Sequence, residues 1–134
     1  MKVPLFAVLA DYANVTNDGK LNIMGIFDVI HAPSFPAIYP QMRLVLRLQG
    51  SPAERGSLKS IEIKMLDADG KQLLQFATTL SIPEAAPLNP EFPQIIELQG
   101  IPFTHPGAYE FSILVNGEEK ATVPFTVVPV ETAA

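Results

Sequence analysis

Apolar residues along this chain return at every second position. Tyr109, Phe111, Ile113 and Val115 alternate with less apolar neighbours, Asn116-Gly117 follows, and a second alternating run covers Ala121 to Val127. Alternation on both sides of an Asn-Gly pair predicts a β-hairpin, because that dipeptide accepts the positive φ angles of a tight turn. The same reading gives eight strand candidates along the chain. Pro4 to Thr16 and Lys20 to His31 flank Asn17-Asp18-Gly19 and form a first hairpin. Met42 to Gln49 puts Met42, Leu44, Leu46 and Leu48 on one face and Arg43, Val45 and Arg47 on the other, the pattern of a half-buried strand. Leu58 to Leu66 returns through Asp67-Ala68-Asp69-Gly70 into Gln72 to Ile82, a second hairpin with a type I turn and a glycine bulge. Phe92 to Gln99 and the closing pair complete the set. No segment holds the i, i+3, i+4 apolar period of a helix, and 13 prolines punctuate the chain. The expectation is one all-β domain over residues 1–134, an antiparallel sandwich of about eight strands.

Register is the open question within the hairpins. A two-residue Asn116-Gly117 loop sets Phe111 opposite Thr122, whereas a three-residue loop pairs Ile113 with Ala121, Phe111 with Val123 and Tyr109 with Phe125. Burying one large apolar side chain contributes about 1.5–3 kcal/mol, more than a turn-type preference, so the second register is expected. The same ambiguity in the first hairpin decides where its carboxylates lie. With a three-residue loop Asp11 faces Gly25 and Asp28 lies on the opposite face; with a two-residue loop Asp28 faces Leu9 and the two carboxylates become diagonal neighbours. Two proline-rich stretches, His31 to Pro40 and Ile82-Pro83 through Phe92-Pro93, are expected to carry the chain between sheets.

Composition sharpens this picture. Charged residues make up 17% of the chain, against about 25% in a typical soluble domain, and apolar residues 48%. So few charges cover a small domain poorly, which points to apolar surface hidden by self-association or a partner. The net charge of −5 comes without any basic run, so nucleic acid is not an expected partner. There is no cysteine for a disulfide, thiolate metal site or cysteine nucleophile. Val3 to Ala10 imitates a short secretory signal but contains Pro4 and stops at Asp11-Tyr12, and it reads as the first strand. No segment approaches the roughly 20 apolar residues that span a bilayer, so membrane insertion is not expected and a cytoplasmic location is.

Candidate chemistry is sparse. Asp11 shares a strand face with Leu5, Ala7 and Leu9, and a carboxylate there needs a partner; loop backbone, Arg43 or Arg47 can supply one. A metal-dependent enzyme could draw on Asp11, Asp28, His31 and His105, but their spacing matches no metal motif. Asp67-Ala68-Asp69-Gly70 lacks the twelve-residue calcium loop and reads as a turn. No Gly-x-Ser-x-Gly elbow or phosphate-binding glycine loop occurs. The better binding candidates are Phe35, Ile38 and Tyr39 in the first proline stretch, which act as anchors if exposed and as a cap on the core if Phe35 and Tyr39 turn inward.

Phe6-Ala7-Val8-Leu9-Ala10-Asp11-Tyr12-Ala13, Asp18-Gly19-Lys20-Leu21-Asn22, Gly25-Ile26-Phe27-Asp28, Pro33-Ser34-Phe35-Pro36 and the closing Pro106-Gly107-Ala108-Tyr109 hairpin together resemble a bacterial family described only as a domain of unknown function. The resemblance implies an immunoglobulin-like sandwich and carries no catalytic, cofactor or partner residues with it. Pro106 to Tyr109 also resembles the last strands of immunoglobulin-like domains, where a tyrosine near a strand start bonds to nearby backbone. The functional expectation is a non-catalytic binding or assembly module without cofactor or metal, acting through a protein partner or as a homo-oligomer. The alternatives are the metal-dependent enzyme and a carbohydrate-binding module.

Overall fold

In the computed structural model, which describes residues 4–84 and 91–130, nine strands form two sheets. They are β1 (Phe6–Val15), β2 (Leu21–Phe27), β3 (Val29–Ala32), β4 (Ala37–Gln49), β5 (Leu58–Asp67), β6 (Gln72–Ser81), β7 (Glu91–Phe103), β8 (Gly107–Val115) and β9 (Glu118–Pro129). The four-stranded sheet runs β2-β1-β4-β7 and the five-stranded sheet β3-β9-β8-β5-β6. The strand faces anticipated from alternation meet between them. Met42, Leu44, Leu46 and Leu48 are fully buried against Ile61, Ile63 and Met65 of β5 and Phe111 and Ile113 of β8.

Three departures from the sequence reading have physical causes. The run from Lys20 to His31 is two strands in different sheets, broken at Asp28, and β3 pairs parallel with β9, so the sandwich is antiparallel everywhere except there. Its apolar positions change phase at the break: Leu21, Ile23 and Phe27 are partly buried on odd numbers, Ile30 and Ala32 are buried on even ones. The first proline crossing is also shorter than expected, because β4 already begins at Ala37 and includes Pro40. The β1 neighbour of β4 is paired only as far as Ala10 opposite Arg43, so around Pro40 that side of the strand has no ladder, and the missing N–H costs no bond there. The second crossing joins β6 to β7 between sheets as expected, with residues 85–90 of it outside the described residues.

The closing hairpin satisfies both preferences that competed in the sequence. Ile113 pairs with Ala121, Phe111 with Val123 and Tyr109 with Phe125, the core-matching register, while Val115 pairs with Glu118 across a two-residue Asn116-Gly117 turn with both residues at positive φ. A bulge between Ile113 and Leu114, with Lys120 as the extra residue, connects the two registers. The expected three-residue loop is therefore a two-residue loop plus a bulge. The first hairpin does adopt the three-residue form: Val15 pairs with Leu21, and the Thr16 amide donates to the Lys20 carbonyl at 2.8 Å around Asn17, Asp18 and Gly19.

The anticipated tyrosine-backbone bond is present. The Tyr109 hydroxyl donates to the His105 carbonyl at 2.6 Å, and its ring stacks on Phe125 and meets Phe103 edge-on. Burial, only partly offset by that bond, pushes the Tyr109 hydroxyl above its ordinary pKa. Tyr109→Phe removes the bond while keeping the ring, and it is expected to lower stability by about 1 kcal/mol in urea unfolding, with an unchanged m-value.

Candidate docking surface

The first hairpin outruns the sheet to which it belongs. β1 pairs with β4 only from Phe6 to Ala10, while its pairing with β2 continues to Val15 opposite Leu21, so residues 11–25 form a two-stranded arm. Its root is fixed by Arg43, which points away from the main core yet is only 9% exposed. The Arg43 guanidinium donates through Nη1 to the Asp11 carbonyl at 2.7 Å, lies 4.9 Å from the Tyr12 ring centroid, and has Nη2 3.7 Å from Glu97. Beside it, Ala10, Ala13 and Val45 are buried in a second, smaller cluster with Phe6, Val8, Leu21, Ile23 and Ile95 packed around them. Val45 lies on the face opposite Leu44 and Leu46, so this cluster covers the outer side of the four-stranded sheet.

At Gly25 the arm carries a feature that only glycine satisfies. Its φ is +71°, and a Cβ there would lie 2.5 Å from Asp11 Oδ2, because the Asp11 side chain folds across the position opposite. The register is the one that keeps Asp11 and Asp28 apart, with Asp28 between β2 and β3. Arg43, one of the partners the sequence offers for the Asp11 carboxylate, donates instead to the Asp11 backbone carbonyl.

Among the exposed polar residues of the hairpin stand large apolar ones. Met24 is 64% exposed and Ile26 62%, with Tyr12 directly opposite Met24 and also exposed. Ile26 also forms one wall of a cleft of about 480 Å³ between the hairpin and β9, lined by Ala7, Val8, Leu9, Phe27, Asp28, Thr122, Val123 and Pro124. β2 is apolar at five of its seven positions, on both faces, although it is an edge strand; that two-sidedness was the available sequence signal for this surface.

The residues singled out from the sequence lie elsewhere. Phe35 and Tyr39 are half-buried and pack against the main core, Tyr39 with its ring 6.1 Å from Phe27, whereas Ile38 is 71% exposed. Burial, with the Asp11 charge adding to it, pushes the Tyr39 hydroxyl above its ordinary pKa. Ile38 and Tyr39 border a cleft of about 190 Å³ with Ile30, Ala32, Pro33 and Phe103, large enough for one side chain. His31 is exposed on β3, and His105 lies before β8 against Tyr109 and Thr104. Among the described residues no three His, Asp or Glu side chains come close enough to hold a metal ion, so Asp11, Asp28, His31 and His105 do not form one site. Among the described residues, too, no helix is long and apolar enough to cross a membrane.

The pairing of β4 with β7 in one sheet, and of β5 with β8 and β8 with β9 in the other, is the B–E and C–F–G arrangement of an immunoglobulin-like sandwich, with β6 extending the second sheet beside C. The chain matches the family of unknown function DUF6941 over residues 5–128 and belongs to that family. A search of curated proteins finds no match. Among solved structures it is similar to the Pseudomonas fluorescens alkylpurine DNA glycosylase AlkC bound to DNA containing an abasic site analogue, with a TM-score of 0.52 and 15% identity over 90% of this chain and 30% of that one. It is also similar to an immunoglobulin-like protein from Pseudomonas aeruginosa, with a TM-score of 0.45 and 12% identity over 95% of each chain. The likeness to the glycosylase, of whose length this chain spans 30%, shows a shared fold alone.

Proposed function

We propose that this protein is a non-catalytic interaction module that docks a partner polypeptide on the β1–β2 arm and the adjoining cleft. The observation that carries the reading is the exposure of Met24 and Ile26 on a strand that, among the described residues, has no outer neighbour, beside a cleft with an apolar floor. Apolar side chains exposed this far, clustered and rimmed by carboxylates such as Asp28, mark contact surfaces more often than bare solvent faces. Ile38, above its own cleft, is a second anchor of the same kind. A sugar-binding reading has less support, because Tyr12 is the one exposed aromatic residue among those described and its ring is already occupied by Arg43. DNA in the glycosylase structure belongs to that protein; the net charge of −5 here opposes tracking of a phosphate backbone.

The test is a native pull-down from the source cell with wild type and with the double variant Met24→Asp/Ile26→Asp, both checked for a folded circular-dichroism spectrum. A protein captured by wild type and depleted at least about tenfold by the variant is expected, since a central apolar anchor is worth about 1–2 kcal/mol or more. Equal capture by both forms, or no capture by either, would sink the reading.

A further inference from the structure

A second surface, on the far side of the sandwich from the arm, concerns the other end of the five-stranded sheet. Among the described residues β6 pairs with β5 alone, so the backbone groups on its other side are unpaired. Edge strands are ordinarily protected from pairing by charge, proline, bulges or brevity. The other three edges of this protein each show one of these. β7 carries Glu91, Pro93, Glu97 and Pro102; β3 is four residues long and followed by Pro33; β2 is interrupted at Gly25, where the ladder with β1 has no pair and φ is positive. β6 shows none. Its ten residues, Gln72 to Ser81, include no charge, proline or glycine, and its register with β5 is unbroken from Leu74 to Ser81.

We propose that β6 is a self-association edge, at which a second copy of this chain adds its own β6 antiparallel about a twofold axis to join two five-stranded sheets into one. This goes beyond the docking role of the arm and does not depend on it. Residues directly opposite in an antiparallel pair point to the same side, so the two numbers in each pair sum to an even value. Of the registers that overlap nearly the whole strand, the one that sets Leu74 against Leu80 places Ala77 on the axis and Phe76 against Thr78 of the second copy. Phe76 and Thr78 line a cleft of about 230 Å³ between β6 and β7 with Ile61, Ile63, Gln94, Ile95 and Ile96, and the incoming strand lies across its open side.

Charge does not oppose a second copy here in spite of the overall acidity. One strand inward, β5 carries Lys59, Glu62 and Lys64, exposed Lys71 precedes β6, and Glu62 already accepts a bond from Gln75 Nε2 at 3.1 Å. Across the proposed seam the two β5 strands are three spacings apart, roughly 14 Å. That exceeds the Debye length of about 8 Å at physiological salt. The acidic groups of two copies are therefore screened from each other at this edge, whereas at β7 they would meet directly through Glu91 and Glu97.

The test uses sedimentation velocity on the full chain from micromolar to millimolar concentration. Wild type is expected to show a reversible monomer–dimer equilibrium. Ala77→Glu, which sets an introduced carboxylate from each copy face to face with Glu62 beside it, is expected to weaken that equilibrium at least roughly tenfold. Since the chain has no cysteine, Ala77→Cys under mild oxidation supplies an independent readout: Cα atoms on the axis of an antiparallel pair are about 4.5–5.5 Å apart, within disulfide reach. A disulfide-linked dimer formed by Ala77→Cys and not by Met24→Cys supports the proposal. A strictly monomeric wild type, an Ala77→Glu variant that is folded and still dimerises, or cross-linking through Met24→Cys in preference to Ala77→Cys overturns it.

Discussion

Replacing Phe111 with alanine is expected to lower stability by about 4 kcal/mol, read as a drop in thermal midpoint of roughly 15 °C. Phe111 is fully buried on β8, opposite Met65 on one side and Val123 on the other, and its ring stacks on Phe125 at a centroid distance of 5.1 Å. Phe125 in turn stacks on Tyr109 at 5.7 Å and meets Phe103 edge-on at 6.0 Å, so the truncation removes one end of a chain of aromatic contacts joining both sheets. Strands on either side of β8 cannot close into the space without breaking their ladders, which is why the cavity cost adds to the lost transfer energy. Phe111→Leu, which keeps much of the volume, is expected to cost about 1–2 kcal/mol. A loss below about 1.5 kcal/mol for the alanine variant would show that the two sheets repack freely around this position.

Acid sensitivity centred on Glu54 is the second large effect. In the single 3₁₀ turn (Pro52–Glu54) that follows β4, the Glu54 side chain is only 11% exposed and lies 3.0 Å from the Lys59 ammonium, which is itself only 14% exposed. Its other oxygen accepts from the Ser51 amide at 2.9 Å and the Ser51 hydroxyl at 3.0 Å. Burial alone pushes this carboxyl up; hydrogen bonds, those from Lys59 and Ser51 among them, outweigh it and bring the pKa from an ordinary 4.5 down to about 2. A carboxyl with a depressed folded-state pKa stabilises the fold fully above its unfolded value, and that contribution is lost as pH falls through the folded value. Stability from this group is therefore complete above pH 4.5 and gone below about 2. Discounted for screening at a site near the surface, the contribution is about 2 kcal/mol at neutral pH. Urea unfolding of wild type and Glu54→Gln across this range is expected to show curves separated by that amount at pH 7 and converging towards pH 2. A gap that stays constant with pH would assign the effect of Glu54 to packing.

How much of this was legible in the sequence depends on what each pattern encodes. Alternation in Met42 to Leu48 and in Ile61 to Met65 reports which side of a strand is buried, and the structure places those residues in the core. The pairings of Ile113, Phe111 and Tyr109 with Ala121, Val123 and Phe125 were accessible because two apolar faces must match across a hairpin. Periodicity carries no information on which sheet a strand joins, and with apolar residues on both faces of Leu21 to Ile30 no phase change marks Asp28 in the sequence, so the division of Lys20 to His31 between sheets was not legible. Lys120 escaped for a different reason. A bulge lets a turn and a core each keep the register it prefers, and a comparison of whole registers treats those preferences as exclusive. For the candidate site, composition pointed to hidden apolar surface without locating it. Phe35 and Tyr39 drew attention as aromatics in a proline-rich stretch, whereas the exposure of Met24 depends on the arm running past the end of the β1–β4 pairing and that of Ile26 on β2 lying at the sheet edge, both tertiary facts.

The parallel pairing of β3 with β9 also governs the order in which this protein can be made. Val29 to Ala32 lie in the first quarter of the chain and their ladder partners are Thr126 to Pro129. During synthesis at about 5–20 residues per second, β3 waits several seconds for a neighbour that has not been translated. The hairpins β1–β2, β5–β6 and β8–β9 can each form locally in that interval, but the edge that joins the beginning of the chain to its far end closes last. A chain that ends before Thr126 is thus left with β3 lacking its ladder partner.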